Sequence, residues 1–576
     1  MVCGGGIAGI QSALDLANSG FKVYLVEKSP TIGGKMAQLD KTFPTGDCAT
    51  CIISPKLVEC TRNLNIDILP QTQIEAVTGE PGRYRVKLRR KARYVDITRC
   101  NACGDCEKVC PVRVPDEFNR GLAAKTAIHK VTAQAVPNAY VIEKRDRPPC
   151  MSACPLDQNV QAYVALIAAG KFAEAADIIR KDNPLPLICG YVCHRPCESE
   201  CQQGRYGEAV SIRALKRFAL EAESREQKAE SRQTSPAPSS VRREERIAII
   251  GSGPAGLGAA DYLARKGYRV TIFEAMSVPG GMMRAGIPDF RLPRSVLDSQ
   301  IQDILDLGVE LKLNSPIGDE RSIDLLLDNG YKAVFAAVGA QKSVGLGIEG
   351  EDLQGVTPGI DFIKQVNLAE VESPDSPVRR PVIGERVAVI GAGNAAMDIA
   401  RSAVRLGAKD VTVIYRRTKR EMPADPVEVE DALREGVRFV FLTNPKRFVG
   451  TDGKLTGIEC VKMQLSEEKD ASGRRRPEAI EGSEHVLDFD EAIIATGQVP
   501  NMGFAAGTEL AVNKRGLLDV DPVTLATSRP GVFAGGDVVA GAGTLSEAVA
   551  AGRRAAESIH RFIKGEDLAE GRSADP

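Results

Sequence analysis

Residues Arg246–Leu257 (RIAIIGSGPAGL) and Thr271–Ala275 (TIFEA) decide the fold. RIAII reads as a short buried strand, the glycines after it as a tight turn, and the stretch beyond as a helix leading to a second strand. Within Gly251-Ser252-Gly253-Pro254-Ala255-Gly256, the first glycine permits the turn and the second lets the backbone approach a pyrophosphate. The third allows close helix packing. Backbone N–H groups at the helix start then face the phosphates. Glu274, eighteen residues past Gly256, ends the second strand where a carboxylate accepts a ribose hydroxyl. A lone glycine pattern is weak evidence, but one set between strand and helix has the context that an FAD or NAD site requires.

The unit occurs twice more. RVAVIGAGNAAM (Arg386–Met397) runs to VIYRR (Val413–Arg417), with Gly391, Ala392, Gly393, Asn394, Ala395 and Ala396 in its turn. Its second strand ends in Tyr415-Arg416-Arg417 instead of a carboxylate. Guanidiniums bind a 2′-phosphate that a carboxylate would repel, so this copy points to NADPH over NADH. VCGGGIAGI (Val2–Ile10) runs to YLVEK (Tyr24–Lys28), matching the fingerprint with Gly4, Gly6, Gly9 and Glu27. Three residues precede Gly4, fewer than a buried strand normally needs. Either the natural chain starts earlier or this half-site is degenerate.

Two later segments complete a two-nucleotide enzyme. Ala495-Thr496-Gly497 closes the strand EAIIATG, and GVFAGGDV (Gly531–Val538) sets Gly536 and Asp537 beside a last helix, with Asp537 positioned for a ribityl hydroxyl of FAD. The FAD domain is therefore interrupted by the NADPH domain. The fold class is α/β, two nested Rossmann-like domains of the pyridine nucleotide-disulfide oxidoreductase type. A helical iron–sulfur domain precedes them, and before it a partial Rossmann unit with a ferredoxin-like loop.

Of 15 cysteines, ten lie between Cys100 and Cys201. Cys100, Cys103, Cys106 and Cys110, followed by Pro111, form CxxCxxCxxxCP, a spacing that presents thiolates to one [4Fe-4S] cluster; zinc is the competitor. Cys150 and Cys154 precede, and Cys189, Cys193, Cys197 and Cys201 follow, two short helices at 159–169 and 172–181 whose hairpin would bring the groups together. Six thiols suffice for one further cluster. Cys48 and Cys51 (DCATC) are ligands, a redox pair or structural residues. Cys3 and Cys460 suit buried, inert thiols, and Cys60 stays open.

The 75 basic and 76 acidic side chains leave a net charge of −1, so no long-range field favours nucleic acid or an anionic membrane. No run of eighteen apolar residues and no secretion signal are visible, which predicts a cytoplasmic protein without membrane insertion. Residues 223–245 are rich in Ser, Glu, Arg and Pro and read as a solvated linker. The expected divisions are a partial dinucleotide-binding unit at 1–95, a ferredoxin-like segment at 96–145 and a helical iron–sulfur domain at 146–222. Beyond the linker come FAD segments at 246–345 and 490–576 flanking an NADPH domain at 346–489.

From about Arg147 to Ile563 the chain resembles the small (β) subunit of glutamate synthase. It is also similar to the N-terminal half of dihydropyrimidine dehydrogenase and to the large subunit of NADH-dependent ferredoxin:NADP oxidoreductase. The stretches that carry this are CGYVCHRPCESEC, GSGPAGL, PGGMMRAGIPDFRLP, GAGNAAMDIAR, YRRTKREMPA and FAGGDV. The resemblance implies FAD at Gly251–Ala255, Glu274–Met282 with Gly281, Arg291, Gly536, Asp537 and Thr544, and NADPH at Ala392–Ala395 and Arg416-Arg417. That family usually holds two clusters, but two cysteines upstream of Cys150 are missing here. Lys216 or Arg217 stands where a glutamine ligand can occur, and Cys189 is the least settled ligand. The first 145 residues look like part of the flavin-bearing component of heterodisulfide reductase, through GGGIAGIQSALDLANSGFKVYLVEKSPTIGGKMAQLDKTFPT and CIISPKLVE. That resemblance implies docking into a larger electron-transfer complex.

A nicotinamide delivers two electrons as hydride, a cluster accepts one, and a flavin converts between them. The expected function is an NAD(P)H-dependent oxidoreductase subunit that passes electrons from NADPH via FAD to at least two [4Fe-4S] clusters. From there they go to a partner subunit or ferredoxin, or the flow runs in reverse. No acid–base catalytic residue is expected. The alternatives are a glutamate synthase small subunit proper, against which the N-terminal extension argues, and a non-catalytic relay or scaffold subunit of a heterodisulfide-reductase-like complex.

Overall fold

The computed structural model describes residues 1–144, 147–230, 242–318, 322–369, 380–470, 472–505 and 507–573, and it divides into two compact units, Met1–Arg147 and Pro148–Pro576. In the first, β1 (Val2–Cys3), β2 (Val23–Val26) and β3 (Ile66–Leu69) form a parallel sheet in that order. Val2 and Cys3 pair with Leu25 and Val26, so two residues suffice for β1 where about five were expected. Helix α1 (Ile7–Asn18) and helix α2 (Ala49–Arg62) cover the sheet with Ile10, Leu14, Ile53 and Leu57. A hairpin, Thr72–Thr78 with Arg85–Arg90, follows.

The second unit opens with α3 (Val160–Ala168) and α4 (Phe172–Asp182), the expected hairpin turning at Gly170, then α5 (Pro186–Val192) and α6 (Ile212–Glu230). Tyr163, Ala175, Ile179 and Leu220 form their shared core. The segment read as a linker begins inside α6, whose Glu, Ala, Arg, Gln and Lys residues favour helix over coil. Glu223 is buried and takes a fork of hydrogen bonds from Arg180, which anchors that end. The remainder, at 231–241, lies outside the described residues.

Two doubly wound sheets follow. The flavin-type sheet holds β4 (Arg246–Ile250), β5 (Arg269–Phe273), β6 (Glu310–Lys312), β7 (Tyr331–Ala336) and, from the far end of the chain, Val532–Ala534, in the order β6-β5-β4-β7-(532–534). Helix α7 (Pro254–Arg265) starts from its turn, and the last long helix, Leu545–Lys564, lies across α7. A Cβ on Gly552 would stand 2.0 Å from the Ala255 carbonyl oxygen, so this crossing depends on glycine. The nicotinamide-type sheet runs Val356–Pro358, Glu491–Ile494, Arg386–Ile390, Asp410–Tyr415, Arg438–Phe441. Its Glu491–Ile494 strand pairs in parallel with Arg386–Ile390, so this domain extends past the expected boundary at 489 and the EAII strand is not part of the returning FAD domain. Among the described residues no helix is long and apolar enough to cross a membrane.

The two sheets are tied together by a buried charge network. Arg291 donates to both oxygens of Asp398 at 2.9 and 2.7 Å and lies 3.0 Å from Glu428. Arg401 joins Glu428 at 2.7 Å and Glu435 at 2.8 Å. Burial raises the Asp398 carboxyl to about 6, and Arg291 opposes that rise, so the group stays ionised at neutral pH. Removing one partner of such a network leaves uncompensated buried charge, at a cost of about 3–5 kcal/mol. Arg291→Ala is therefore expected to lower unfolding stability of the cofactor-free chain by that amount in urea titrations, with Arg291→Lys in between.

Candidate functional site

The flavin-type turn is held by its own second strand. Glu274 is buried and accepts from Ser252 N at 2.9 Å and Ser252 Oγ at 2.5 Å, while its other oxygen accepts from Met276 N at 2.9 Å. Gly280 N donates to the same Ser252 hydroxyl at 3.0 Å, which draws the Gly280-Gly281 turn over the loop. Gly251 has φ +102 and abuts the Ala337 carbonyl, so both conformation and space demand glycine. At Gly256 a Cβ would come 2.0 Å from the Gly251 oxygen. Gly253 differs: it has φ −70, and a Cβ there would meet nothing within 4 Å. The fold itself has no need of glycine at 253. The open space beside a helix N-terminus is a cradle that fits a pyrophosphate.

Gly536 and Asp537 lie at the other end of the loop, with Gly536 against Ala255. Burial raises Asp537 to about 6, and the Gly543 N–H at 3.3 Å opposes the rise. Thr544 caps the last long helix in a reciprocal box with Glu547. Met282 opens a short helix whose Arg284 is buried. Arg291, expected against the flavin, directs its guanidinium to the buried Asp398 and the half-buried Glu428.

The nicotinamide-type turn repeats this geometry. Gly391 has φ +124 and abuts the Ala495 carbonyl, so Ala495-Thr496-Gly497 borders this loop; Gly393 is again open. Ala392 and Ala396 are buried, and Ala395 stands in the first turn of Asn394–Arg405. The two arginines part company. Arg416 is exposed, with no ion pair among the described residues. Arg417 is buried, donating to the Arg475 carbonyl at 2.8 Å and to Asp470. Of the pair, Arg416 alone leaves its guanidinium at the surface, and Arg417 holds the Asp470 loop.

In the N-terminal turn, Glu27 accepts from Gly5 N at 2.6 Å and from Ser29 N at 2.7 Å, the counterparts of the Glu274 bonds. Gly6 is open like Gly253, and Gly9 crowds the Gly4 oxygen like Gly256. Gly34 lies over Gly6 as Gly281 lies over Gly253. Gly4 is the exception, since no carbonyl stands where Ala337 faces Gly251. The turn thus repeats the Glu274 and Gly253 side of the flavin-type loop, and among the described residues β1 is the edge of its sheet.

The cysteines gather in two places. Around fully buried Tyr163 stand Cys150, Cys154, Cys193 and Cys197; burial above all, and then these sulfurs, raise its phenol. The Tyr163 hydroxyl has no hydrogen-bond partner among the described residues. An orphaned donor buried in the neighbourhood of these cysteines fits a sulfide-rich cluster that accepts hydrogen bonds. Burial pushes Cys197 up to about 12 despite Lys216, while Cys150 is raised by burial and by Cys201 beside it. Cys189 is fully buried, raised to about 12 by burial, and bonds Asn183 Oδ1 at 3.8 Å. Lys216 is buried near Cys189 and Cys197, whereas Arg217 turns away to stack 3.7 Å over Tyr191.

In the first unit, Cys106 is raised by burial and by Cys100 and Cys103, so these three thiols stand near one another. Cys110 caps the short helix Asp105–Val109, and its thiol lies 3.6 Å from the Val112 oxygen. Among the described residues no three His, Cys, Asp or Glu side chains converge on a single-ion position. A cubane separates its thiolates, one to each iron, so such convergence is not what it needs. Cys48 and Cys51 are joined in a disulfide, and Cys60 and Cys460 are buried, raised by burial to about 11 and about 12. Cys3, expected to be buried, is exposed because its two-residue strand has few neighbours.

Three substitutions test these assignments. Gly253→Ala should leave cofactor-free stability within about 0.5 kcal/mol and abolish flavin retention, read as absorbance of the purified chain. Arg416→Gln should weaken NADPH binding by about 10- to 100-fold, the loss of one charge-assisted hydrogen bond, and leave NADH unchanged in fluorescence titration. Arg417→Gln should instead reduce stability.

Residues 245–555 match the pyridine nucleotide-disulphide oxidoreductase family, residues 127–228 match dihydropyrimidine dehydrogenase domain II with its 4Fe-4S cluster, and residues 1–46 match the FAD dependent oxidoreductases. The chain is 44% identical over 434 residues to the NADP(+)-dependent formate dehydrogenase subunit beta of Moorella thermoacetica, covering 72% of this chain and 60% of that one. It is 39% identical over 450 residues to the NADPH-Fe(3+) oxidoreductase subunit beta of Geobacter sulfurreducens, covering 72% and 64%. It thus spans under two thirds of these two relatives. The small chain of Escherichia coli NADPH glutamate synthase is 36% identical over 429 residues, covering 72% of this chain and 89% of that one. With a family match over more than half of its length and a relative covered almost throughout, the chain belongs to the pyridine nucleotide-disulphide oxidoreductases, in the branch that joins FAD and NADP(H) domains to a 4Fe-4S domain.

Proposed function

We propose that the chain is the NADPH-oxidising member of a hetero-oligomeric electron-transfer enzyme, linking NADPH, FAD and at least two [4Fe-4S] clusters to a partner protein. When bound, FAD accepts two electrons as hydride and releases them one at a time to clusters. The chain's own residues bind, orient and exclude water. Gly251–Gly256 and Glu274 would hold the FAD pyrophosphate and ribose, with Gly281, Met282, Gly536 and Asp537 around them. Gly391–Ala395 and Arg416 would hold NADPH. Tyr163, buried among Cys150, Cys154, Cys193 and Cys197, would donate its proton toward a cluster, and the ferredoxin-like loop at Cys100–Cys110 would carry another.

One observation supports this reading most: the cysteine loop abuts the nicotinamide loop. Asn394 Nδ2 donates to His194 Nε2 at 2.5 Å, and Arg195 donates to both oxygens of Asp425 at 2.6 and 2.7 Å. The helix start that would face the dinucleotide and the segment between Cys193 and Cys197 are thus fixed to each other. Relatives named as beta subunits or a small chain support a role within a larger enzyme.

Anaerobic titration of the purified, cluster-loaded chain with NADPH tests the proposal. The expected result is bleaching of flavin absorbance together with appearance of reduced-cluster electron paramagnetic resonance signals. An unbleached flavin would overturn it.

A further inference from the structure

We propose that the basic hairpin Thr72–Thr78 with Arg85–Arg90 is a docking surface for a small acidic electron-carrier protein. The chain's near-neutral total hides an uneven spread of charge. Met1–Arg147 carries 22 basic and 15 acidic side chains, a net +7, which leaves −8 for Pro148–Pro576. Much of the excess is local. Seven of the eleven residues at 83–93 (RYRVKLRRKAR) are Arg or Lys, and the acids between 72 and 93 are Glu75 and Glu80.

Among the described residues the two strands form a sheet of their own, and residues 73–80 are exposed throughout. A lone two-stranded ribbon gains little stability in water. Its Ile74, Val77, Val86 and Leu88 lie outside the core of the first unit. Glu75 pairs with Lys87 at 3.0 Å and with Arg89 at 2.5 Å. Arg83, Arg85, Arg90 and Lys91 are exposed, with no ion pair among the described residues. Strand alternation sets Arg85 with Lys87 and Arg89 on one face and Arg90 with Val86 and Leu88 on the other. Positive charge thus lines about 20 Å of ribbon.

The residues after the ribbon select among acidic partners. Arg93, buried at its base, donates to the Ala139 oxygen at 3.0 Å and to the Tyr140 oxygen at 3.1 Å, and the Tyr140 hydroxyl donates to Glu107 at 2.9 Å. Glu107 stands between Cys106 and Cys110, so these bonds fix the base of the ribbon to the ferredoxin-like loop. That loop adds apolar surface at Val109 and Val112, which are 79% and 47% exposed. A carrier of single electrons has to bring its centre close to such a loop, and transient electron-transfer encounters use small interfaces oriented by opposite charge. Nucleic acid and anionic membranes also answer positive charge, but neither takes electrons from a neighbouring loop. This choice of partner rests on the function proposed above.

The full, cluster-loaded chain titrated into a fluorescently labelled acidic [2Fe-2S] ferredoxin tests the surface by anisotropy. Binding is expected at 50 mM salt and should weaken about tenfold by 200 mM, while basic cytochrome c stays unbound. Arg83→Thr, Arg85→Thr, Arg90→Thr and Lys91→Thr combined should weaken binding by about 10- to 100-fold. Arg83→Lys, Arg85→Lys and Arg90→Lys combined should stay within about threefold of the parent, since charge is kept. Circular dichroism should be unchanged in both variants. Salt-independent binding, equal binding of cytochrome c, or a Thr variant that binds like the parent would each overturn the proposal. So would binding of duplex DNA or phosphatidylserine vesicles, or salt-sensitive self-association in sedimentation, with no ferredoxin bound. A flavin bleached by NADPH in a chain that binds no ferredoxin would overturn the surface and leave the proposed function standing. Ferredoxin bound with this salt and variant pattern beside an unbleached flavin would do the reverse.

Discussion

The close approach of backbone to backbone at Gly251 and Gly391 is the constraint on which both nucleotide domains depend. Each glycine takes a positive φ and presses against a carbonyl on the neighbouring strand, Ala337 in one case and Ala495 in the other. That contact draws the strand-to-helix turn into the sheet's carboxyl edge and aims the first helical N–H groups outward. It also makes the open positions informative. Gly253 and Gly393 have ordinary φ values and roomy surroundings. Packing does not dictate them, and the space beside them is left open for a ligand. The N-terminal turn has the open glycine at Gly6 without the carbonyl contact at Gly4, which marks it as a half-site on a shorter sheet.

Much of this was legible in the sequence because short-range patterns carried it. All three strand–turn–helix–strand units, the hairpin around Gly170 and the placing of Glu27 and Glu274 follow from spacing over about 30 residues. Long-range partners were not legible. Arg291 and Asp398 are 107 residues apart and Arg195 and Asp425 are 230 apart, and nothing local marks either as a pair. The same blindness made Arg416 and Arg417 look equivalent, since Asp470 reaches only one of them. Composition misled at 223–230, where the charged residues read as a linker also make good helix and Glu223 finds Arg180 43 residues upstream. The strand EAII read as the return of the flavin domain because strands from either sheet look alike; register with Arg386–Ile390 decides it.

The cysteine-rich helical segment is integral to the flavin-type domain. Leu185, Ile188 and Val192 share one core with Ile249, Leu297 and Phe533. Arg553 in the last long helix donates to the Asp182 carbonyl at the end of α4. Such packing fixes distance and orientation between thiols and nucleotide turns, which electron transfer needs more than it needs acid–base side chains. It suits a chain that carries four histidines in its whole length.

The two units then differ in the size of the electron packet they suit. The second combines a hydride-accepting flavin site with buried thiols, a two-electron entry beside one-electron carriers. The first combines a one-electron-type loop, Cys100–Cys106, with a dinucleotide half-site and the Cys48–Cys51 disulfide at the start of α2. The half-site retains what holds an adenine dinucleotide, Glu27 and the open Gly6, and lacks the strand that would enclose its reactive end. Among the described residues β1, two residues long, forms the edge of that three-stranded sheet.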